Sequence, residues 1–431
     1  MNQEERRQRR QKDTKSAVIV CVIVVLILLV LAAGGVFLVG RLLPKGDGQN
    51  AGTDGTELPG ENVAATEEVT EQPQTEVQTD PVEEQAAQLV SQMTLEDKIA
   101  QMFVITPNAL TGYASGVTAA GDTTKEAYQS RPVGGIVYMA DNLTDPEQTT
   151  TMLSNMQEIA RERTGLPVFL CVDEEGGSVA RIAGNDAFGV TDVGNMSDIG
   201  ASGDVQNAYN AGSTIGSYLA ALGFNVDFAP VADVLTNPDN QVIGQRSFGS
   251  DAQTVAGMVT SELSAAGVYG MVKHFPGHGG TSGDSHDGAV STDKTLEELM
   301  AEELVPFQSA IDGGVNFVMV GHISAPNVTG DNAPATLSKV LITDVLRGQM
   351  GYNGIVITDA MNMEAITGFY NSDKAAVLAV TAGADMILMP ADYNTAYTGI
   401  LNAVNDGTIT EERINESVTR IVKAKLAMGQ P

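Results

Sequence analysis

Eight short apolar runs punctuate the chain: Met102–Thr106, Gly135–Met139, Val168–Val172, Val226–Val231, Tyr269–Lys273, Phe317–Gly321, Ile355–Thr358 and Met386–Met389. Each is continuous rather than alternating, each is bounded by turn residues, and enough chain separates neighbours for a helix. Strands of a parallel sheet read this way, because helices cover both faces. Amphipathic stretches such as Pro81–Met93 and Leu95–Gln101 have the spacing of helices. Eight such units over residues 85–431 predict an α/β fold, a (β/α)8 TIM-type barrel in a single domain. An open doubly wound sheet is the competing architecture. No Gly-x-Gly-x-x-Gly follows the first run to support it.

Upstream the pattern is different. Residues 1–16 carry Arg6, Arg7, Arg9, Arg10, Lys12 and Lys15 and read as a basic cytoplasmic tail. An uncharged apolar run then extends from Ala17 to Gly40, about the length a helix needs to cross a bilayer. The basic flank stays inside, so 17–40 is expected to be a single-pass transmembrane signal-anchor in the cell membrane, with the rest of the chain extracellular. A cleaved signal peptide is the alternative, but the run is long and lacks a convincing small-x-small cleavage site. Residues 41–84 come next, and from Gly46 to about Glu84 the composition shifts to Gly, Thr, Glu, Gln and Pro with hardly an aliphatic side chain beyond Val. Such a segment cannot bury enough apolar surface to fold and reads as a disordered acidic linker.

Composition narrows the partners. The 431 residues carry a formal net charge of -30, which argues against nucleic acid. Acidity by itself names no substrate. Of the two cysteines, Cys21 lies in the apolar run and Cys171 in an expected strand, so no disulfide framework is expected. The absence of Trp weighs against a carbohydrate site, since sugar rings often stack on it; only motif evidence can outweigh that.

In a barrel of this type, chemistry gathers at the C-terminal ends of the strands. The third run ends in Asp173-Glu174-Glu175-Gly176-Gly177, the sixth in Gly321-His322 and the seventh in Thr358-Asp359. Arg246 sits on the loop after the fourth. The fifth run ends in Lys273-His274 and opens a Gly/Ser/Thr-rich loop through His278, Asp284 and His286; three of the chain's four histidines are on it. Each residue alone has a bland reading: Asp359 as a helix cap, Asp173 to Glu175 as a solvated turn, Arg246 as a surface charge, His322 as a satisfied histidine. Lys273 is harder to dismiss, because a Lys closing a buried strand needs a partner or a ligand. The joint pattern is what points to a site.

Two chemistries compete for the His-rich loop. Metal binding is disfavoured, because Pro276 and Gly277 interrupt His274 and His278 and deny them one helical face; no metal is expected. Acid–base work fits better. In an extended segment Asp284 and His286 lie on one side, so the carboxylate can orient the ring and stabilise its protonated form. No Ser lies in a Gly-x-Ser-x-Gly elbow, which leaves Asp359 as the best-placed nucleophile. An Asp nucleophile opposite a proton donor is the arrangement of a retaining glycosidase, although those enzymes usually use a second carboxyl as donor.

The segment Lys273-His274-Phe275-Pro276-Gly277-His278-Gly279 with Asp284-Ser285-His286 resembles the signature of the β-N-acetylhexosaminidase branch of glycoside hydrolase family 3. Asp173-Glu174-Glu175-Gly176-Gly177-Ser178-Val179-Ala180-Arg181, Arg246-Ser247-Phe248-Gly249 and Thr358-Asp359-Ala360-Met361-Asn362-Met363 resemble its other motifs, in order, over about residues 85–431. The resemblance implies a TIM barrel with Asp359 as nucleophile, His286 as general acid/base and Asp284 as its partner. It also implies Asp173, Arg181, Arg246, Lys273 and His274 as ligands of the sugar. The implied reaction is removal, with retention, of a non-reducing terminal β-linked N-acetylglucosamine, and peptidoglycan fragments are the branch's usual substrate. Two departures fall on the acid/base loop: Gly280 stands where an Asp is usual, and the segment after His286 lacks the usual Leu-Pro. The chain ends soon after the eighth unit, so the rim of the barrel alone is expected to form the site, in a monomer. A phosphorylase that passes the sugar to phosphate, and a barrel that binds wall sugars without cutting them, are the competing readings.

Overall fold

A computed structural model describes residues 81–114, 116–285 and 288–428. The basic tail, the apolar run 17–40 and linker residues 41–80 lie outside the described residues, as does His286. Among the described residues no helix is long and apolar enough to cross a membrane.

All eight apolar runs contain strands. They are β1 Phe103–Ile105, β2 Gly135–Val137, β3 Phe169–Val172, β4 Val226–Asp227, β5 Tyr269–Phe275, β6 Phe317–Val320, β7 Ile355–Thr358 and β8 Ile387–Leu388. They form one eight-stranded sheet in the order β7-β6-β5-β4-β3-β2-β1-β8, every pair parallel. The sheet nearly closes on itself: Ile357 bridges Met386, and the Thr358 and Met361 N–H groups donate to the Met386 and Leu388 carbonyls. Continuous apolar sequence is explained by burial on both sides, since every residue of β1, β2, β3, β6 and β7 is buried. Inside, Phe169 and Phe317 meet edge to face with ring centroids 5.2 Å apart.

Helices follow the strands. The N-terminal pair is α1 Pro81–Gln92 and α2 Leu95–Gln101; then come α3 Asp122–Ser130, α4 Pro146–Thr164, α5 Val205–Leu222, α6 Ala252–Ala265 and α7 Val305–Asp312. The π-type helix α8 Val340–Gln349 precedes β7, and α9 Ser372–Ala382, α10 Tyr393–Asn405 and α11 Glu411–Met428 finish the chain. Helix α1 takes in residues 81–84, a few residues before the linker boundary expected at 84. Proline suits a first helical turn, Glu83 and Glu84 favour its positive end, and Glu83 pairs with Lys423 of α11 at 3.1 Å. Helices α5 and α6 cross where α5 has no side chain: a Cβ on Gly216 would sit 1.4 Å from the Ala266 carbonyl oxygen. Below the sheet seam, fully buried Asp385 gathers Arg347 at 2.5 Å, Ser417 at 2.6 Å and Arg420 at 3.1 Å. That network ties α8 and α11 to the β7–β8 closure; it is structural.

Candidate active site

The strands position the site because their last side chains project where the β-to-α loops begin. Asp173 follows β3, Lys273 and His274 lie within β5, and Asp359 follows β7. Together with Glu175, Arg181 and Arg246 they line one pocket of about 310 Å³, so the six sequence-selected residues Asp173, Arg181, Arg246, Lys273, His274 and Asp359 converge. A larger pocket of about 580 Å³, walled by Val290, Asp331, Pro334, Phe369 and Tyr370, shares none of these residues.

Glu175 is the electrostatic centre of the smaller pocket, and the sequence reading had not singled it out as a site residue. Its side chain is 1% exposed and takes Lys273 Nζ at 2.5 Å and both Nε and a terminal nitrogen of Arg246, at 2.7 and 2.9 Å. Lys273 also donates to Asp173 at 2.8 Å. Burial alone would raise the Glu175 carboxyl; the Lys273 and Arg246 charges outweigh it and bring it down to about 2. Burial likewise works against charge on Lys273, and Asp173 and Glu175 reverse the sign, so its ammonium is held more firmly than usual. Two cations and two carboxylates are thus locked in a fixed array, a surface of preset donors and acceptors for hydroxyl groups. Arg181 adds a buried Nε with no hydrogen-bond partner among the described residues. Its loop is held by Glu174, whose carboxylate accepts from the Ile182 and Ala183 N–H groups, each at 2.8 Å.

His274 is oriented from behind. Fully buried Asp233 accepts from its Nδ1 at 2.7 Å, which turns Nε2 toward the Arg246 guanidinium at 3.5 Å. The Lys273–His274 and Phe275–Pro276 peptides are cis. Asp233 gives no sequence signal, being a lone acid in an apolar stretch. Glu175 does give one: residues 173 and 175 share a side in extended backbone, the parity already used for 284 and 286.

Asp359 accepts from the Ala360 N–H at 2.7 Å. Burial pushes its carboxyl up, but His322, His274, the Ala360 N–H and Lys273 together hold it below the usual carboxylate range. It is therefore ionised at neutral pH, as a nucleophile must be. His322 is satisfied in its own right: Nε2 donates to the Ala360 carbonyl at 2.9 Å, and Nδ1 lies 2.8 Å from Thr336 Oγ1. Of the acid/base loop, Asp284 is half-buried and Ser285 is buried on the pocket wall, while His286 lies outside the described residues. A Cβ on Gly280 would lie 2.6 Å from Thr236 Oγ1 and 3.1 Å from Glu303 Oε1, and Lys294 pairs with that carboxylate.

Residues 94–424 match the family described as Glycosyl hydrolase family 3 N terminal domain. The chain belongs to glycosyl hydrolase family 3. Within the family it is 35% identical over 326 residues to Beta-hexosaminidase A of Pseudoalteromonas piscicida, spanning 69% of this chain and 54% of that protein. It is 34% identical over 340 residues to Beta-hexosaminidase LpqI of Mycobacterium tuberculosis, spanning 76% of this chain and 82% of that one. The solved glycoside hydrolase family 3 beta-N-acetylglucosaminidase from Paenibacillus sp. str. FPU-7 superposes with a TM-score of 0.72 at 40% identity, over 79% of this chain and 64% of that structure. The chain thus spans about half of the first relative and most of the second.

Proposed function

We propose that this protein is a retaining exo-β-N-acetylglucosaminidase that removes a terminal β-linked N-acetylglucosamine from peptidoglycan-derived fragments. The observation that carries the reading is Asp359, buried yet held ionised, on the wall of a pocket where Asp173, Glu175, Arg246 and Lys273 are fixed in place by one another. The names of the relatives support the sugar.

In the first step the Asp359 carboxylate attacks the anomeric carbon and the glycosidic C–O bond breaks. The imidazolium of His286, stabilised by Asp284, gives its proton to the departing oxygen. In the second step the neutral imidazole takes a proton from water, whose oxygen attacks the anomeric carbon and releases Asp359. Two displacements retain the configuration. Asp173, Arg181, Arg246, Lys273 and His274 hold the sugar's hydroxyls, and Glu175 keeps the two cations aimed. No cofactor takes part. The apolar run 17–40, with basic residues before it, supports an anchor in the cell membrane that leaves the barrel on the extracellular side.

The test is a panel of aryl glycosides given to the wild type and to Asp359→Asn. Turnover confined to β-N-acetylglucosaminides, abolished in D359N, fits the proposal. Release of the sugar as its 1-phosphate on adding phosphate would convert the reading to a phosphorylase, and D359N with near-normal turnover would remove the nucleophile.

A further inference from the structure

The loop of Asp284 and His286 has one buried anchor, Ser285, and the residue that holds it is His278. Both are 2% exposed. Ser285 Oγ lies 3.2 Å from His278 Nε2. On the other side of the ring, Thr281 Oγ1 lies 2.8 Å from Nδ1 and 2.8 Å from the His278 carbonyl oxygen. The carbonyl can only accept, so the single Thr281 hydroxyl proton goes to it, and Thr281 Oγ1 receives the Nδ1 proton. Nε2 therefore carries the lone pair, and Ser285 is the donor. Burial lowers the basicity of this ring, in keeping with that neutral tautomer.

The ring itself is bolted down. The His278 N–H donates at 2.6 Å to Asp233, the same carboxylate that orients His274. Asn240 Nδ2 donates to the His278 carbonyl at 2.8 Å and to the Thr281 carbonyl at 3.2 Å, and Asn237 Nδ2 donates to Thr281 at 2.9 Å. The Ala365 N–H, in the short helix Glu364–Thr367 that follows Asp359, donates to the Ser285 carbonyl at 3.4 Å. One buried serine is thus tied both to the sugar-binding scaffold and to the short helix after the nucleophile.

We infer that His278 and Ser285 are positioning residues: their hydrogen bond sets where the acid/base residues on either side of Ser285 stand relative to Asp359. This rests on the assignment of His286 as acid/base above. Neither side chain transfers a proton; each fixes the origin of the segment that does. Misplacing a catalytic group by about 1 Å costs on the order of 100-fold in rate, so loss of the pin falls on proton transfer and spares sugar binding.

Leaving-group dependence reads this out. A dinitrophenyl aglycone departs without a proton, whereas an alkyl or sugar aglycone needs one. In the full-length protein, S285A and H278N are expected to lose about 10- to 100-fold in kcat/KM on an alkyl β-N-acetylglucosaminide. On the dinitrophenyl substrate kcat/KM stays within about twofold, because forming the glycosyl–Asp359 ester needs no acid there. The kcat on that substrate falls and is restored by azide, which needs no base, with the β-glycosyl azide as product. An Asn amide reaches only as far as Nδ1, whereas a Gln amide reaches the position of Nε2, so H278Q keeps the wild-type profile. H286A is the reference and shows the same signature more strongly. If H286A shows it and S285A and H278N do not, or if they lose both substrates equally, the pin is wrong. If H286A lacks it, the acid/base assignment is wrong and the pin falls with it.

Discussion

Glu175→Gln keeps the shape of the site and removes the charge at its centre. Glu175 faces Lys273 at 2.5 Å and Arg246 at 2.7 Å with a side chain 1% exposed, so solvent screens the array little. Its carboxyl falls from an ordinary 4.5 to about 2. At about 1.36 kcal/mol per pH unit that difference corresponds to roughly 3 kcal/mol of folding stability. The variant also leaves two buried cations with Asp173 as the pocket carboxylate still hydrogen-bonded to Lys273, and breaking a buried pair costs about 3–5 kcal/mol. E175Q is therefore expected to be less stable by about 3–5 kcal/mol at pH 7. The sign of the pH dependence follows from the depressed carboxyl: the unfolded chain binds the proton first, so the contribution is full above 4.5 and lost as pH falls towards 2. Denaturant unfolding of both proteins from pH 7 down to pH 3 measures this. The gap between them should be widest near neutrality and narrow below 4.5. Equal stability at pH 7, or a gap that does not change with pH, would refute the electrostatic account of the site.

Two other perturbations test separate parts of the structure. Gly280→Asp puts a Cβ 2.6 Å from Thr236 Oγ1 and a second carboxylate beside Glu303, and is expected to lower stability by about 1–3 kcal/mol in thermal unfolding. The second change Glu303→Gln should recover the part of that loss that comes from the two carboxylates, and leave the part that comes from Thr236. Lys425 of α11, buried against Gln101 at 2.6 Å and the Phe169 ring at 5.1 Å, is pushed by burial down to about 7. Between pH 7 and about 10.5 the unfolded chain binds the extra proton, so wild-type stability should climb across that range. Lys425→Met should flatten the climb in denaturant unfolding at several pH values; an unchanged slope would contradict the assigned cause.

The barrel was legible because burial on both faces makes its strands continuous, and continuity survives in a single sequence. Every apolar run from Met102 to Met389 proved to contain a strand. Asp173, Lys273, His274 and Asp359 were legible for a related reason: a charged residue that ends an apolar run stands out. Glu175 was hidden among three consecutive acids, and only strand parity separates it from Glu174, which turns away to hold the 181–183 backbone. Asp233 and Ser285 were illegible because their work depends on contacts with distant or looped-back chain, and neither sits in a composition that signals it. His278 was weighed as a metal ligand when its neighbours in space, Thr281 and Ser285, were the informative ones.

The account stands on a covalent bond between Asp359 and the anomeric carbon. Incubation with a 5-fluoro-N-acetylglucosaminyl fluoride, whose ester hydrolyses slowly, followed by proteolysis and mass spectrometry, looks for that bond directly. The account predicts a single labelled peptide with the sugar on Asp359 and none in D359N. A label on another carboxylate, or fluoride release with no labelled peptide at all, would contradict it.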